Sequence, residues 1–327
     1  MTRRTMALCA VLVTSGFATA SAAQVAGTWT ARRETERSGQ LYLSVEIDAG
    51  DSHGSMYDPS ALTGLSPADI GSKTRLPVRF TLAHEPGTVT FVGTFQEGRG
   101  AGDFTFAPNR DYVSRLQAIG VRFVAKGGDD DRELMHLALF DVSTAFIRSM
   151  QALGYDEPLD RYVEFRIFGV DPGYVKDMGS VGFDHVSAAK LVETRIHGAT
   201  PDYIRQMRAS GADLTLDQYI ETRIFNVTPE FAREMARAGY PDLARDVLVQ
   251  FRIHGVDADF VRRLRDAGCT GLPAQKLVEM RIFGVTPEFV RRVEKAAGHK
   301  VAVDELIQMR IMGRAPETVK VVDDGVR

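Results

Sequence analysis

The chain has 327 residues, 44% of them hydrophobic and 25% charged, with 40 Lys and Arg against 43 Asp and Glu for a formal charge of −3. That composition excludes a disordered or fibrous chain and allows two domains with cores of their own. The mild acidity argues against a nucleic-acid partner.

Residues 1–23 begin with basic Arg3 and Arg4 and continue through an apolar run from Met6 to Val13. They end in small residues, with Ala20-Ser21-Ala22 or Ser21-Ala22-Ala23 as the cleavage site. The pattern predicts a cleavable signal peptide and a periplasmic or secreted mature protein. The run is short for a membrane helix, and no later stretch approaches the roughly 18 apolar residues that one needs. Cleavage would take the formal charge to −5 and remove Cys9, leaving Cys269. A lone cysteine excludes an internal disulfide and any site built on paired thiolates, so Cys269 reads as a buried or half-buried packing residue.

Residues 24–107 alternate apolar and polar positions over 28–32, 41–47, 77–82, 89–95 and 103–106, which predicts strands of a small antiparallel β sandwich or barrel. Trp29 is placed in its core. Ser66-Pro67-Ala68-Asp69 predicts a capped helical turn between the second and third of these strands. The glycines of "EGRGAG", residues 97–102, precede a strand rather than a helix and so mark a hairpin turn or bulge, not a phosphate loop. "GDSHG", residues 50–54, fits the nucleophile-elbow pattern with Ser52 as nucleophile. That elbow needs a strand-to-helix turn in a parallel sheet, whereas this stretch leads into a polar linker.

Residues 108–316 carry an internal repeat. The pair Arg-Ile recurs at Arg166, Arg195, Arg223, Arg252, Arg281 and Arg310, at intervals of 29, 28, 29, 29 and 29 residues, with a weaker copy at Ala138-Leu139. Three residues after each arginine stand Gly169, Gly198, Asn226, Gly255, Gly284 and Gly313, residues that tolerate the left-handed conformation ending a helix. Next come the N-cap residues Asp171, Thr200, Thr228, Asp257 and Thr286, four of them followed by proline at the first helical position. An aromatic residue (Tyr174, Tyr203, Phe231, Phe260, Phe289) follows, with an apolar partner four places on, and the helix closes at Gly182, Gly211, Gly239, Gly268 or near Gly298. The second helix has an apolar face exemplified by Leu191, Val192 and Ile196, or Leu277, Val278 and Ile282. Two helices of roughly three turns cannot stand alone, so the expectation is an α-solenoid of about six to seven stacked hairpins. Residues 111–120 read as a first helix at one end. At the other, Arg314 and Thr318 break the pattern, and 317–327 reads as a frayed tail.

The repeated arginine falls in the last turn of its helix, where a cation complements the dipole. It is expected to clamp the acidic first turn of the next helix, as Arg281 to Glu288 or Arg223 to Glu230. A row of exposed arginines could alternatively form a ladder for a carboxylate- or phosphate-rich ligand. His197 and His254 share a slot with Phe168, Phe225, Phe283 and Met312, which indicates selection for bulk rather than metal ligation. Tyr162 and Tyr219 replace leucine and read as core.

The phrase "HGVDADFVRRLRDAG", residues 254–268, and its sisters resemble the short G-V-T-P-E-F helical repeats of uncharacterised exported bacterial proteins. They are also similar to repeats appended to membrane metallopeptidases of the β-lactam-sensor type. The resemblance covers roughly residues 108–316 and implies a sensory or accessory role outside the inner membrane. It transfers no catalytic residue, since the zinc motif and membrane helices of those sensors are absent.

The resulting expectation is an α+β protein without catalytic residue, cofactor or metal. It would act as an exported interaction module for a protein, a peptide or an envelope polymer. The alternative is a hydrolase or small-ligand receptor with its site in the β domain or at the domain junction, using His53, His84 or Asp58.

Overall fold

The computed structural model describes residues 25–34, 39–47 and 52–314, and these form two compact units, one through Arg166 and one from Ile167. The expected signal peptide with Cys9, the tail from 317 and Thr318 lie outside the described residues.

In the first unit β1 (Ala26–Arg33), β2 (Leu41–Glu46), β3 (Ser52–Tyr57), β4 (Leu76–His84), β5 (Gly87–Gln96) and β6 (Arg99–Pro108) form one antiparallel sheet, in the order β3-β2-β1-β6-β5-β4. The two facing sheets of a sandwich do not form, because helices cover the apolar face instead. The α3 helix (Asp130–Leu139) packs on β4, β5 and β6, and α1 (Pro67–Ile70) packs on β5. The β3 strand corrects the reading that the stretch 50–54 leads into a polar linker. It is too polar to alternate visibly, yet it satisfies its backbone by pairing along β2 from Leu41 opposite Tyr57 to Glu46 opposite Ser52. The α1 turn carries the expected capping box between Ser66 and Asp69.

Glu97 and Gly98, both at positive φ (50° and 79°), make a two-residue hairpin between β5 and β6, the backbone twist that antiparallel strands favour. The neighbouring glycines have another use. Gly93 lies opposite Gly102, and a Cβ on either would run into the Trp29 indole. The glycine pair therefore opens a slot for that ring, which is 1% exposed. Trp29 meets Phe80 and Phe91 edge-on at 5.2 and 6.0 Å, and its Nε1 donates to the Val92 carbonyl at 3.2 Å.

The unit continues with α2 (Asp111–Ala118), α3, α4 (Thr144–Gln151) and α5 (Leu159–Phe168), which contains the boundary between the two units. Two phenols tie it together, Tyr112 fully buried and Tyr57 half-buried. Tyr57 donates to the Leu139 carbonyl at 2.8 Å and Tyr112 to the Val142 carbonyl at 2.5 Å. The first turn of α4 is held by the Glu85 carboxylate, which accepts from the Thr144 N–H at 2.6 Å.

The second unit alternates first helices α6 (Pro172–Ser180), α8 (Pro201–Ala209), α10 (Pro229–Arg237), α12 (Ala258–Asp266) and α14 (Pro287–Ala297) with second helices α7 (Ala188–His197), α9 (Leu216–Ile224), α11 (Arg245–His254), α13 (Ala274–Ile282) and α15 (Val303–Ile311). The chain is thus α+β, a six-stranded antiparallel sheet followed by helices. The local grammar holds throughout: Gly169, Gly198, Asn226, Gly255, Gly284 and Gly313 all have φ between 53° and 73°. Asp171, Thr200, Thr228, Asp257 and Thr286 each accept the N–H of the aromatic residue three places on. First helices touch first helices (α6 with α8, α10 with α12, α12 with α14) and second touch second (α7 with α9, α11 with α13). One apolar cluster runs from Val227 to Met309.

Inside these hairpins hydroxyls occur in matched pairs. Tyr174 faces Thr194 (2.7 Å) and Tyr203 donates to Thr222 (2.9 Å). Where the aromatic is Phe231, Phe260 or Phe289, the residue twenty places on is Phe251, Met280 or Met309. A buried hydroxyl is tolerated where it finds a partner and is absent where it would not.

Burial pushes the Tyr57 and Tyr112 phenols well above their ordinary value of 10, with the charges of Glu85 and Asp141 adding to the effect at Tyr112. A folded-state pKa raised above the unfolded one gives stability that is fully present below the unfolded pKa and is lost as pH rises past it. Urea midpoints should therefore fall steeply from about pH 10 to about pH 12. The Tyr57→Phe, Tyr112→Phe double variant should start about 1–3 kcal/mol less stable, having lost two hydrogen bonds, and fall less steeply. Parallel slopes for the two proteins would show that these phenols do not ionise on unfolding.

Candidate functional site

The repeated arginine ends each second helix, and its guanidinium lies over the aromatic ring of the preceding first helix. In the first unit Arg166 sits 5.1 Å from the Phe146 ring, donates to the Phe140 carbonyl at 2.9 Å and pairs with Asp141 at 2.5 Å. In the second unit the ring distances are 3.9 Å for Arg195 over Tyr174, 4.9 Å for Arg223 over Tyr203, 3.7 Å for Arg252 over Phe231, 3.8 Å for Arg281 over Phe260 and 5.0 Å for Arg310 over Phe289. Arg195 also donates to the Gly169 carbonyl, Arg223 to His197 (3.4 Å) and Arg310 to Phe283 (3.2 Å).

These arginines thus point backward, to the carbonyl end of the previous unit, and not forward to an acidic first turn. Glu288 and Glu230 pair instead with Arg291 and Arg233 in their own helices. The reason is local: the carbonyls left open at a helix end need donors and carry partial negative charge, and the arginine lies within reach of them. Two poses result. Arg166, Arg223 and Arg310 bond a carbonyl through Nε and stand about 5 Å from the ring. Arg195, Arg252 and Arg281 have a buried Nε without an acceptor and lie closer to the ring, at 3.7–3.9 Å. Attraction to the π face takes the place of the missing bond. Burial lowers the Arg281 pKa, and Asp257 partly opposes that shift.

Beside the arginines runs a feature the sequence reading missed. Ile167, Ile196, Ile224, Ile253, Ile282 and Ile311 are all 45–53% exposed, joined by exposed Phe168, Phe283 and Met312 at the next position. Ile196 and Ile282 were expected in the core. At about 100° per residue, Ile196 lies about 140° round the helix from Leu191, beyond the arc that buries Leu191 and Thr194. The sixfold occurrence of a bulky aliphatic residue just outside that arc was the available signal. A second set of cations was also missed. Arg208 donates to the Val181 carbonyl and Arg265 to the Ala238 carbonyl, both at 2.6 Å, so α8 is joined to the end of α6 and α12 to the end of α10 in the same way. A depression of about 390 Å³ opens beside Arg195 and Tyr174, rimmed by Asp171, Asp177 and Asp202.

The candidates of the alternative reading do not assemble into a reaction centre. Ser52 is exposed at the start of β3, with its Oγ 3.2 Å from that of Ser44, so the strand-to-helix turn of a nucleophile elbow is not formed. Asp58 caps a single 3₁₀ turn by accepting from Ser60, which holds its carboxyl below the usual range. His84 Nδ1 lies 2.6 Å from the Ala138 carbonyl, and the His53 ring lies tilted against His136 at 4.7 Å, so both histidines contact α3. Cys269 is a half-buried free thiol whose pKa is raised by burial. Tyr162 and Tyr219 are fully buried, each donating to a carbonyl seven residues back. Among the described residues no three of His, Cys, Asp or Glu converge to hold a metal, and no helix is long and apolar enough to cross a membrane. Comparison with protein-family models, with curated proteins and with solved structures found no match.

Replacing Arg252 by alanine should cost about 1–3 kcal/mol, through lost stem packing and lost attraction to the Phe231 ring. In a double-mutant cycle with Phe231→Leu, urea denaturation should return a coupling of about 0.5–1 kcal/mol. Strict additivity would mean that the stacking contributes nothing.

Proposed function

We propose that the hairpins of the second unit stack as an α-solenoid and that the protein is a non-catalytic, exported interaction module. It would receive a partner protein or peptide along the ridge where the second helices end. The observation that carries this reading is the row of half-exposed isoleucines, one per repeat. A single exposed aliphatic residue is ordinary, but a contiguous apolar row is the mark of a docking surface. Each such isoleucine leaves about 1 kcal/mol of transfer free energy to be gained on contact. Stacking is supported by the contacts between successive equivalent helices and by the continuous apolar cluster from Val227 to Met309. Export is supported by the leader pattern of residues 1–23. A role in envelope sensing accords with the resemblance of the repeats to those of the sensor metallopeptidases.

The test is site-specific photo-cross-linking in cells, with the photoreactive residue at Ile224, Ile253 or Ile282 and, for comparison, at exposed Gln206 or Lys295. A discrete adduct is expected at the three ridge positions and not at the other two. Ile224→Glu with Ile253→Glu should lower its yield about tenfold while stability changes by less than about 0.5 kcal/mol per site. Equal labelling at all five positions would dismiss the ridge as an interface.

A further inference from the structure

The isoleucine row has a charged companion whose sign identifies the partner's chemistry. The first helices α8, α10, α12 and α14 place an acid in their opening turn, and that acid is neutralised within the same helix, whereas α6 has none there. Asp202 pairs with Arg205 at 2.5 Å, Glu288 with Arg291 at 3.9 Å, Glu230 with Arg233 and Asp259 with Arg262. The repeated Arg195, Arg223, Arg252, Arg281 and Arg310 make no ion pair among the described residues. They bond only to carbonyls and rings, which hold the cation in place without cancelling its charge. The excess is greatest at Arg223, Arg252 and Arg310, the last standing over Phe289 with Thr286 as its cap. The cap residue preceding the ring under Arg223 is Thr200 and that under Arg252 is Thr228, whereas Arg195 and Arg281 stand over rings preceded by the acids Asp171 and Asp257.

We propose that the ridge takes an extended acidic peptide segment of another protein, with aliphatic side chains laid on Ile196, Ile224, Ile253 and Ile282 and carboxylates reaching the guanidinium groups beside them. This rests on the interaction-module reading above and names the class of its partner. Two physical arguments favour that occupant over a second copy of the chain. Laying one ridge on another would oppose two rows of uncompensated guanidinium groups, whereas a carboxylate meets each fork with charge-assisted bonds. The pitch also fits. Packed helices lie about 8–10 Å apart, and a polyproline-type chain rises about 3.1 Å per residue, so every third side chain returns to the ridge after about 9 Å.

The probe is therefore a capped peptide of five Ile-Glu-Pro triplets, titrated against the full chain by fluorescence anisotropy. It should bind, and at least about tenfold more tightly than the matching Ile-Gln-Pro and Ser-Glu-Pro peptides, each of which removes one half of the proposed contact. Binding should weaken several-fold when salt is raised from about 50 mM to about 500 mM, as Debye screening requires. The variant Ile224→Ser with Ile253→Ser should lose about tenfold in affinity with an unchanged thermal unfolding curve, since both side chains are half exposed. Equal binding of the Gln and Glu peptides, or no binding of either, overturns the assignment. A dimer seen by light scattering that the same serine variant dissolves, with no peptide bound, overturns it in favour of a second copy. If a cross-linked partner appears at Ile224 while the acidic peptide fails to bind, the interaction-module reading stands and the acidic class is wrong. If neither appears, both fall.

Discussion

The helical half of this protein depends on how the open carbonyls at each helix end are satisfied. The last turn of a helix leaves acceptors without donors and concentrates negative partial charge there. Here the donor comes from a neighbour. A guanidinium from one unit reaches the carbonyl end of the unit before it and rests on an aromatic ring on the way. Arginine suits the position better than lysine, because a planar fork can lie flat on the ring and donate in its own plane at once, whereas an ammonium is a compact, strongly hydrated point charge. Lys300, which reaches the Ala267 carbonyl at 3.3 Å, shows the point-charge version at an end of the series. Two of the first helices are bridged in the same way, α8 to the end of α6 by Arg208 and α12 to the end of α10 by Arg265.

How much of this could be read from sequence follows from the range of each interaction. Helix stops and starts were legible because they are local. A left-handed residue three places beyond the arginine, and a cap side chain that bonds three places on, need no knowledge of the rest of the chain, and Asn226 in place of glycine obeys the same rule with φ of 53°. The Glu97-Gly98 hairpin and the Ser66 capping box were legible for the same reason. The direction of Arg281 was not, since the expected partner Glu288 is close along the chain whereas the Phe260 ring it covers lies much farther back, and only packing selects the distant one. The β3 strand was hidden because its stability comes from pairing with β2, and an edge strand of Ser, His, Gly and Met has little alternation to display.

The two halves solve the placement of large side chains differently. In the sheet, Trp29 is accommodated by subtraction: Gly93 and Gly102 remove the Cβ atoms that would occupy the indole slot. In the hairpins, the ring of the first helix is accommodated by matching. Threonine stands opposite tyrosine, and phenylalanine or methionine stands opposite phenylalanine, so that each buried hydroxyl has a partner. Both solutions leave interiors with few orphaned polar groups, and the exceptions are informative. The Nε atoms of Arg195, Arg252 and Arg281 are buried without acceptors where the guanidinium has moved onto the ring.

The outward isoleucine is the one repeated choice that folding does not explain. It follows the arginine at the end of its helix, half exposed, where lysine, glutamate or glutamine would have better helix propensity and would hydrate well. A cation there would also complement the helix dipole. Packing within the chain gives it little return, since about half of each side chain faces solvent in all six copies. The adjacent slot behaves differently, accepting Phe168, His197, Phe225, His254, Phe283 and Met312 in turn. A position that tolerates ring, imidazole and thioether answers only to size, whereas one that keeps a β-branched aliphatic side chain six times over answers to shape. Constancy of shape at a half-solvated position accords with the docking surface proposed above, and the fixed cations one residue away supply the charge that would accompany it.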